Sequence, residues 1–179
     1  LLNIFVLTLH YSKKSSKTLK RVFLEKDFYF ENYERACKWR NLILHAANTP
    51  NFFAEYNESS FNDLPEFKRQ LLVFINPYGG VHKAPKKWQK ARKILKGAGC
   101  VFVEVYTQYR GHCRDYILQA KSDFLKQFSG IITVSGDGLI HEVVNGILNR
   151  PDAEELRNIP LGPLPAGSGN GAVKNLCYR

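Results

Sequence analysis

The sequence predicts an α/β domain, a doubly wound parallel sheet, from about Gln70 to the last residue, preceded by a smaller β-rich segment. Three observations carry that prediction. From Gln70 onward, short apolar runs alternate with stretches of helical apolar spacing, so that β-α recurs four times. The runs are continuously apolar, as strands covered on both faces must be. Each run ends in a glycine-rich or polar turn that leads into a helix, and right-handed crossovers place all such turns on one edge of the sheet. With 179 residues at 44% hydrophobic composition, the chain has enough apolar matter for an ordinary core.

In chain order, the sequence starts in mid-pattern at Leu1-Leu2-Asn3-Ile4 and contains no Met, so it reads as a fragment. Leu1 to Leu9 is too short to span a bilayer and lacks the flanks of a signal peptide. Asn3 to Tyr11 and Leu19 to Phe30 are expected as strands separated by the basic turn Ser12 to Lys17. Tyr33 to Ala47 has helical spacing, with Ala36, Trp39, Ile43 and Ala46 along one face. Two strands closed by a helix with a central Trp resemble the end of a pleckstrin-homology-like domain, which would make residues 1–47 part of one. A hairpin with a packed helix and no ligand role fits the same pattern. Asn48 to Arg69, rich in Asn, Ser, Pro and Glu, reads as a linker.

The strand Leu71 to Ile75 ends in Asn76-Pro77-Tyr78-Gly79-Gly80, before a helix from about Pro85 to Lys96. That helix sets Lys86, Lys87, Lys90, Arg92 and Lys93 around a stripe of Trp88, Ala91 and Leu95, a solvated basic face. Next come a strand at Val101 to Tyr106, the loop Thr107 to Gly111, and one helix from His112 to about Phe128. Gly130 to Val134 is β-branched and stops at Ser135-Gly136-Asp137-Gly138, where helical spacing begins with Ile140, Val143, Val144 and Ile147. A polar loop from Pro151 to Pro160, a short strand at Leu161 to Leu164, and Pro165-Ala166-Gly167-Ser168-Gly169-Asn170-Gly171 before a last helix complete the pattern.

The turns at Asn76 to Gly80, Ser135 to Gly138 and Gly167 to Gly171 therefore face one crevice. Each precedes a helix whose free amides and positive dipole end attract anions, so the convergent reading is a phosphate cradle. The bland reading is three connections in which Asp-Gly and Gly-Ser are good turn chemistry. No Gly-Lys-Ser/Thr ending of a Walker A loop is present, and no GxGxxG follows a strand. The net charge of +10 calls for an anionic partner, whether a phosphorylated ligand, an acidic membrane surface or nucleic acid. No RNA-binding aromatic motif or helix-turn-helix pattern supports the last. The four scattered cysteines form no CxxC pair, so neither a metal site nor a disulfide framework is expected, and reduced thiols in the cytoplasm are the default.

With these motifs in place, the segment from Leu71 resembles the catalytic domain shared by diacylglycerol, ceramide and sphingosine kinases. SGDGLIHEVVNG at Ser135 to Gly146, with PAGSGN at Pro165 to Asn170, is most similar to the sphingosine kinase branch. LLVFINPYGG also resembles ceramide kinase, the nearest alternative, although GGDG is usual there. The chain departs from the family at Val81-His82-Lys83, where Gly-Lys is usual, and at Gly171, where Ala is common.

The resemblance implies a lipid kinase using ATP and Mg²⁺, with a sphingoid base as substrate. It implies nucleotide contacts at Asn76, Pro77 and Tyr78, and at Thr107, Gln108, Tyr109, Arg110 and Gly111. Ser135, Gly136, Asp137 and Gly138 would be shared by nucleotide and lipid, with Asp137 as proton acceptor. Glu142 and the loop Gly167, Ser168 and Gly169 complete the nucleotide set. Asp137 has a structural alternative, since Asp just before a helix caps free amides, and Glu142 suits a first helical turn whatever the ligand. His141 reads as a packing or surface residue. The family's second domain would supply most of the lipid pocket, so this fragment alone is expected to be inactive. A peripheral membrane surface and a homodimer are the further partners expected, with no nucleic acid. Other classes left open are a sugar or nicotinamide-nucleotide kinase and a non-catalytic lipid- or nucleotide-binding module.

Overall fold

The computed structural model describes residues 5–14, 21–50, 63–64, 66 and 68–177. Two compact units divide the chain near Arg69. In the first, β1 (Phe5–Lys14) and β2 (Arg21–Phe30) pair antiparallel, from Phe5 opposite Phe30 to Lys14 opposite Arg21. Ser12, Lys13 and Lys14, expected in the turn, thus belong to the strand. Ladder bonds are made by the backbone, and polar side chains do not end a strand that has a partner. The rest of the expected turn, and most of the expected linker, lie outside the described residues.

Helix α1 (Tyr33–Asn48) starts at Asn32, whose Oδ1 accepts from the Arg35 amide at 3.1 Å. A Glu34–Lys38 pair at 2.9 Å supports its first turns. Ala36, Leu42 and Leu44 are its buried residues, whereas Trp39 remains exposed. The buried surface therefore differs from the expected stripe. Asn41 Nδ2 donates to the Leu64 carbonyl at 3.0 Å.

The second unit is a four-stranded sheet in the order β4-β3-β5-β6. It is built from β3 (Arg69–Ile75), β4 (Cys100–Tyr106), β5 (Gly130–Ser135) and β6 (Leu161–Pro165). Every pairing is parallel. Both faces of β3 are buried. Val73 and Ile75 pack with Ala84 and Trp88 of α3 (Ala84–Gly97) and with Val134 and Ala166. Leu72 and Phe74 face the other layer, where Cys113 and Ile117 of α4 (His112–Gln119) meet Leu139, Val143 and Ile147 of α6 (Asp137–Leu148). This two-sided burial is why the run is apolar at every position. On α6, Val144 is exposed and Gly146 takes its place in the interface, with the Ile117 side chain close against it.

Three elements differ from expectation. A single turn, α2 (Gly79–His82), forms where only a loop was expected, and another, α7 (Ala153–Leu156), interrupts the Pro151 to Pro160 loop. The single helix expected over His112 to Phe128 is two, α4 and α5 (Ser122–Lys126), with Ala120 and Lys121 extended between them. The cause is Arg150, only 9% exposed. Its Nη1 donates to the carbonyls of Ile117, Leu118 and Ala120, and its Nε and Nη2 hold Asp152 at 2.7 and 3.0 Å. Carbonyls that would continue the helix are turned to the guanidinium instead.

Arg150→Met should cost about 3 kcal/mol, since it leaves buried carbonyls without donors, read as a lower denaturant midpoint. The Arg150 guanidinium, and then the Ser122 hydroxyl, hold the Asp152 carboxyl far below the usual carboxylate range. A depressed carboxyl contributes stability that is complete above its unfolded value, about 3.9, and is lost as pH falls below it. The stability gap between wild type and Arg150→Met should accordingly narrow on acidification from about pH 4 downward. A gap independent of pH would rule the pair out as its source.

Candidate functional site

Ile75 lies in register with Tyr106 and Val134, and Ser135 with Pro165, so the strands end together. The strand order reverses at β3, with β4 on one side and β5 on the other. Open parallel sheets bind ligands beyond the carboxyl ends of the strands at such a switch point.

The three glycine turns meet there, backbone against backbone. A Cβ on Gly167 would stand 2.3 Å from the Gly136 Cα and 2.4 Å from its nitrogen. One on Gly136 would stand 2.5 Å from the Gly169 carbonyl oxygen. Gly80, at φ 58°, comes so near the Ala166 carbonyl that a Cβ would fall 1.9 Å from its oxygen. Only glycine permits these approaches. Asn76 ties the first turn to β5: its amide donates to the Val134 carbonyl at 3.2 Å and its Nδ2 to Ser135 Oγ at 3.5 Å, while its Oδ1 accepts from the Tyr78 amide at 3.0 Å. Asn170 closes the last turn through reciprocal bonds with Gly167, at 3.2 and 2.8 Å. Lys87 Nζ donates to the Pro165 carbonyl at 2.7 Å and secures that turn to α3.

Two carboxylates cap helices other than their own. Asp137, the first residue of α6, accepts from the amides of Gly171 at 2.8 Å and Ala172 at 3.1 Å, at the start of α8 (Gly171–Cys177). Glu142 accepts from the amides of Gly111 at 2.9 Å and Cys113 at 3.2 Å, at the start of α4. Of the three helix starts expected to attract an anion, the one after Gly167 to Gly171 is thus already met by a protein carboxylate. The start of α4 is likewise met by Glu142, whereas the start of α6 has no side-chain cap. The start of α6 therefore offers free amides and a positive dipole end to a ligand.

Beside these turns lies a cavity of about 340 Å³ lined by Asn76, Tyr78, Thr107, Gln108, Tyr109, Arg110, Ser135, Gly138, Leu139 and Glu142. Nine residues expected at the site thus share one cavity wall. Pro77 and Gly111 belong to the same turns without lining it. Gly136, Asp137 and Gly167 belong to the junction of the turns without lining it, and Ser168 and Gly169 are exposed on the last turn. Burial, and then the Glu142 carboxylate, push the Cys113 thiol well up, so it is an inert packing group here. His141 is exposed. Among the described residues, no cluster of three or more His, Cys, Asp or Glu could hold a metal ion.

Sequence reasoning missed Leu139 and Lys87 as parts of the site, and placed Gly80 and Asn170 in its turns without giving either a role of its own. Asn170 carried a signal, since Asn beside glycine forms side-chain turns. Lys87 carried none, because its partner is distant in sequence.

Residues 70–179 match the diacylglycerol kinase catalytic domain. Human sphingosine kinase 2 is 44% identical over 111 residues, covering 58% of this chain and 16% of that protein. Sphingoid long chain base kinase 4 of Schizosaccharomyces pombe is 31% identical over 169 residues, covering 94% of this chain and 32% of that protein. The chain thus spans less than a third of the length of these relatives. A solved diacylglycerol kinase from Bacillus anthracis str. Sterne is similar at 23% identity and a TM-score of 0.43, over 64% of this chain and 39% of that chain.

Proposed function

The chain belongs to the diacylglycerol kinase catalytic domain family, and we propose that it forms the nucleotide-gripping part of a lipid kinase. The reaction is transfer of the ATP γ-phosphoryl group to the primary hydroxyl of sphingosine or a related sphingoid base, giving sphingosine 1-phosphate. The observation that carries this reading is the convergence of Gly80, Gly136 and Gly167 beside the cavity, at spacings only glycine tolerates. The sphingoid choice is supported by what the similar proteins are named.

The residues divide the work as follows. Amides at the start of α6 and on the Gly167 to Gly169 turn receive phosphate oxygens, since phosphoryl transfer depends mainly on positioning and charge stabilisation. ATP bound with Mg²⁺ supplies the transferable group and a neutralised triphosphate. Asp137 accepts the proton of the lipid hydroxyl. Each of its oxygens has one amide partner, which leaves further lone pairs toward substrate. Glu142 acts on the nucleotide through the loop it braces, its oxygens facing the amides of Gly111 and Cys113.

We further propose that residues 1–47 are part of a pleckstrin-homology-like domain, 48–69 a linker, and 70–179 the catalytic domain. The protein would work in the cytoplasm at a membrane surface, drawn there by its net charge of +10. Among the described residues, no helix is long and apolar enough to cross a membrane.

The deciding experiment incubates the full-length protein with labelled ATP and Mg²⁺ against sphingosine, ceramide and diacylglycerol in separate vesicles. Label on sphingosine is the expected result. Transfer to ceramide or diacylglycerol instead would move the assignment to those kinases, and ATP binding without transfer to any lipid would leave a binding module.

A further inference from the structure

The loop between β4 and α4 is fixed at both ends. At one end, the Thr107 amide and hydroxyl donate to the Ile75 carbonyl at 2.9 and 3.4 Å. At the other, Gly111 and Cys113 donate to Glu142. Between these anchors Gln108, Tyr109 and Arg110 are exposed yet line the cavity. Two of them, Gln108 and Tyr109, are held by His112, to which the sequence assigned no role. The Gln108 amide donates to His112 Nδ1 at 3.0 Å. The imidazole also stacks on the Tyr109 ring, with centroids 4.9 Å apart and planes at 25°. The Tyr109 hydroxyl donates to Asp115 Oδ2 at 3.3 Å, and Asp115 is itself gripped by Arg114. A ring held on one face and at its tip, but still 54% exposed at a cavity wall, is a rigid aromatic platform.

Resting on the kinase reading, we infer that His112 is a positioning residue that holds Tyr109 as the stacking platform for the nucleobase. His112 does not touch the nucleotide. It presents an Nδ1 lone pair to the Gln108 amide, which requires its ring proton on Nε2. Stacking on an aromatic face is tolerant of base identity, so the platform distinguishes nucleotides from bare polyphosphate and admits ATP and GTP alike. Phosphate recognition stays with the glycine turns.

The test measures calorimetric affinity of the full chain for MgATP and for magnesium tripolyphosphate, in wild type, Tyr109→Ala, His112→Ala, the two combined, and His112→Asn. Tyr109→Ala and His112→Ala should each weaken MgATP about tenfold, the scale of one base stack, and leave tripolyphosphate unchanged. The double substitution should be no weaker than Tyr109→Ala alone, because the two act as one unit. His112→Asn places an amide oxygen near the Nδ1 position and should recover most of the loss. Equal weakening of both ligands in His112→Ala, or MgATP affinity within twofold of wild type in both single variants, would overturn the inference and leave the kinase reading standing. Failure of the wild type to bind MgATP would overturn both.

Discussion

Gly167→Ala should lower transfer activity about a hundredfold, the scale expected when a catalytic group shifts by about 1 Å. The new methyl would lie 2.3 and 2.4 Å from backbone atoms of Gly136, which cannot swing aside as a side chain does. The two turns must separate, and with them the amides proposed to hold phosphate. Overpacking of this kind also costs about 1–3 kcal/mol of stability, so thermal unfolding should shift downward. Gly169→Ala and Gly138→Ala are the controls, because nothing lies within 4 Å of a Cβ at either position. Unfolding temperatures like wild type are expected for both. A Gly167→Ala enzyme with wild-type turnover would show that the close approach has no part in the reaction.

Asp137→Asn should reduce kcat by about 10² to 10⁴, the usual contribution of a positioned proton acceptor. The same substitution disturbs the start of α8, since an amide nitrogen replaces one of the two oxygens that face Gly171 and Ala172. A lost helix cap is worth about 1 kcal/mol. The two roles separate in the readout. If Asp137 takes the proton, kcat collapses while MgATP affinity stays within a few-fold of wild type. If it only caps α8, the melting temperature drops by the cap's worth and kcat stays within tenfold. That second pattern would end the proposal of Asp137 as the base.

The amino-acid sequence by itself determined the alternation of strand and helix after Gln70, because continuous apolar runs and helical spacing are local patterns that two-sided burial requires. It placed the glycine turns on one sheet edge, because crossover handedness leaves little choice. It also brought Asn76, Thr107 and Ser135 to one neighbourhood, since each sits at the carboxyl end of a strand, whereas Glu142 was placed there only by the family resemblance.

The tertiary structure alone decided whatever depends on partners distant in the chain. Arg150 splits the expected His112 to Phe128 helix by drawing off carbonyls 30 to 33 positions back in sequence that the fold brings within hydrogen-bond reach. Asp137 opens α6 and Glu142, expected in its first turn, stands in its second, yet their carboxylates cap α8 and α4. Which helix end remains open to an anion is set by where those side chains reach once the sheet has formed. Local periodicity encodes which face of an element is buried, but a hydrogen bond between distant residues exists only when the packed backbone brings donor and acceptor within about 3 Å.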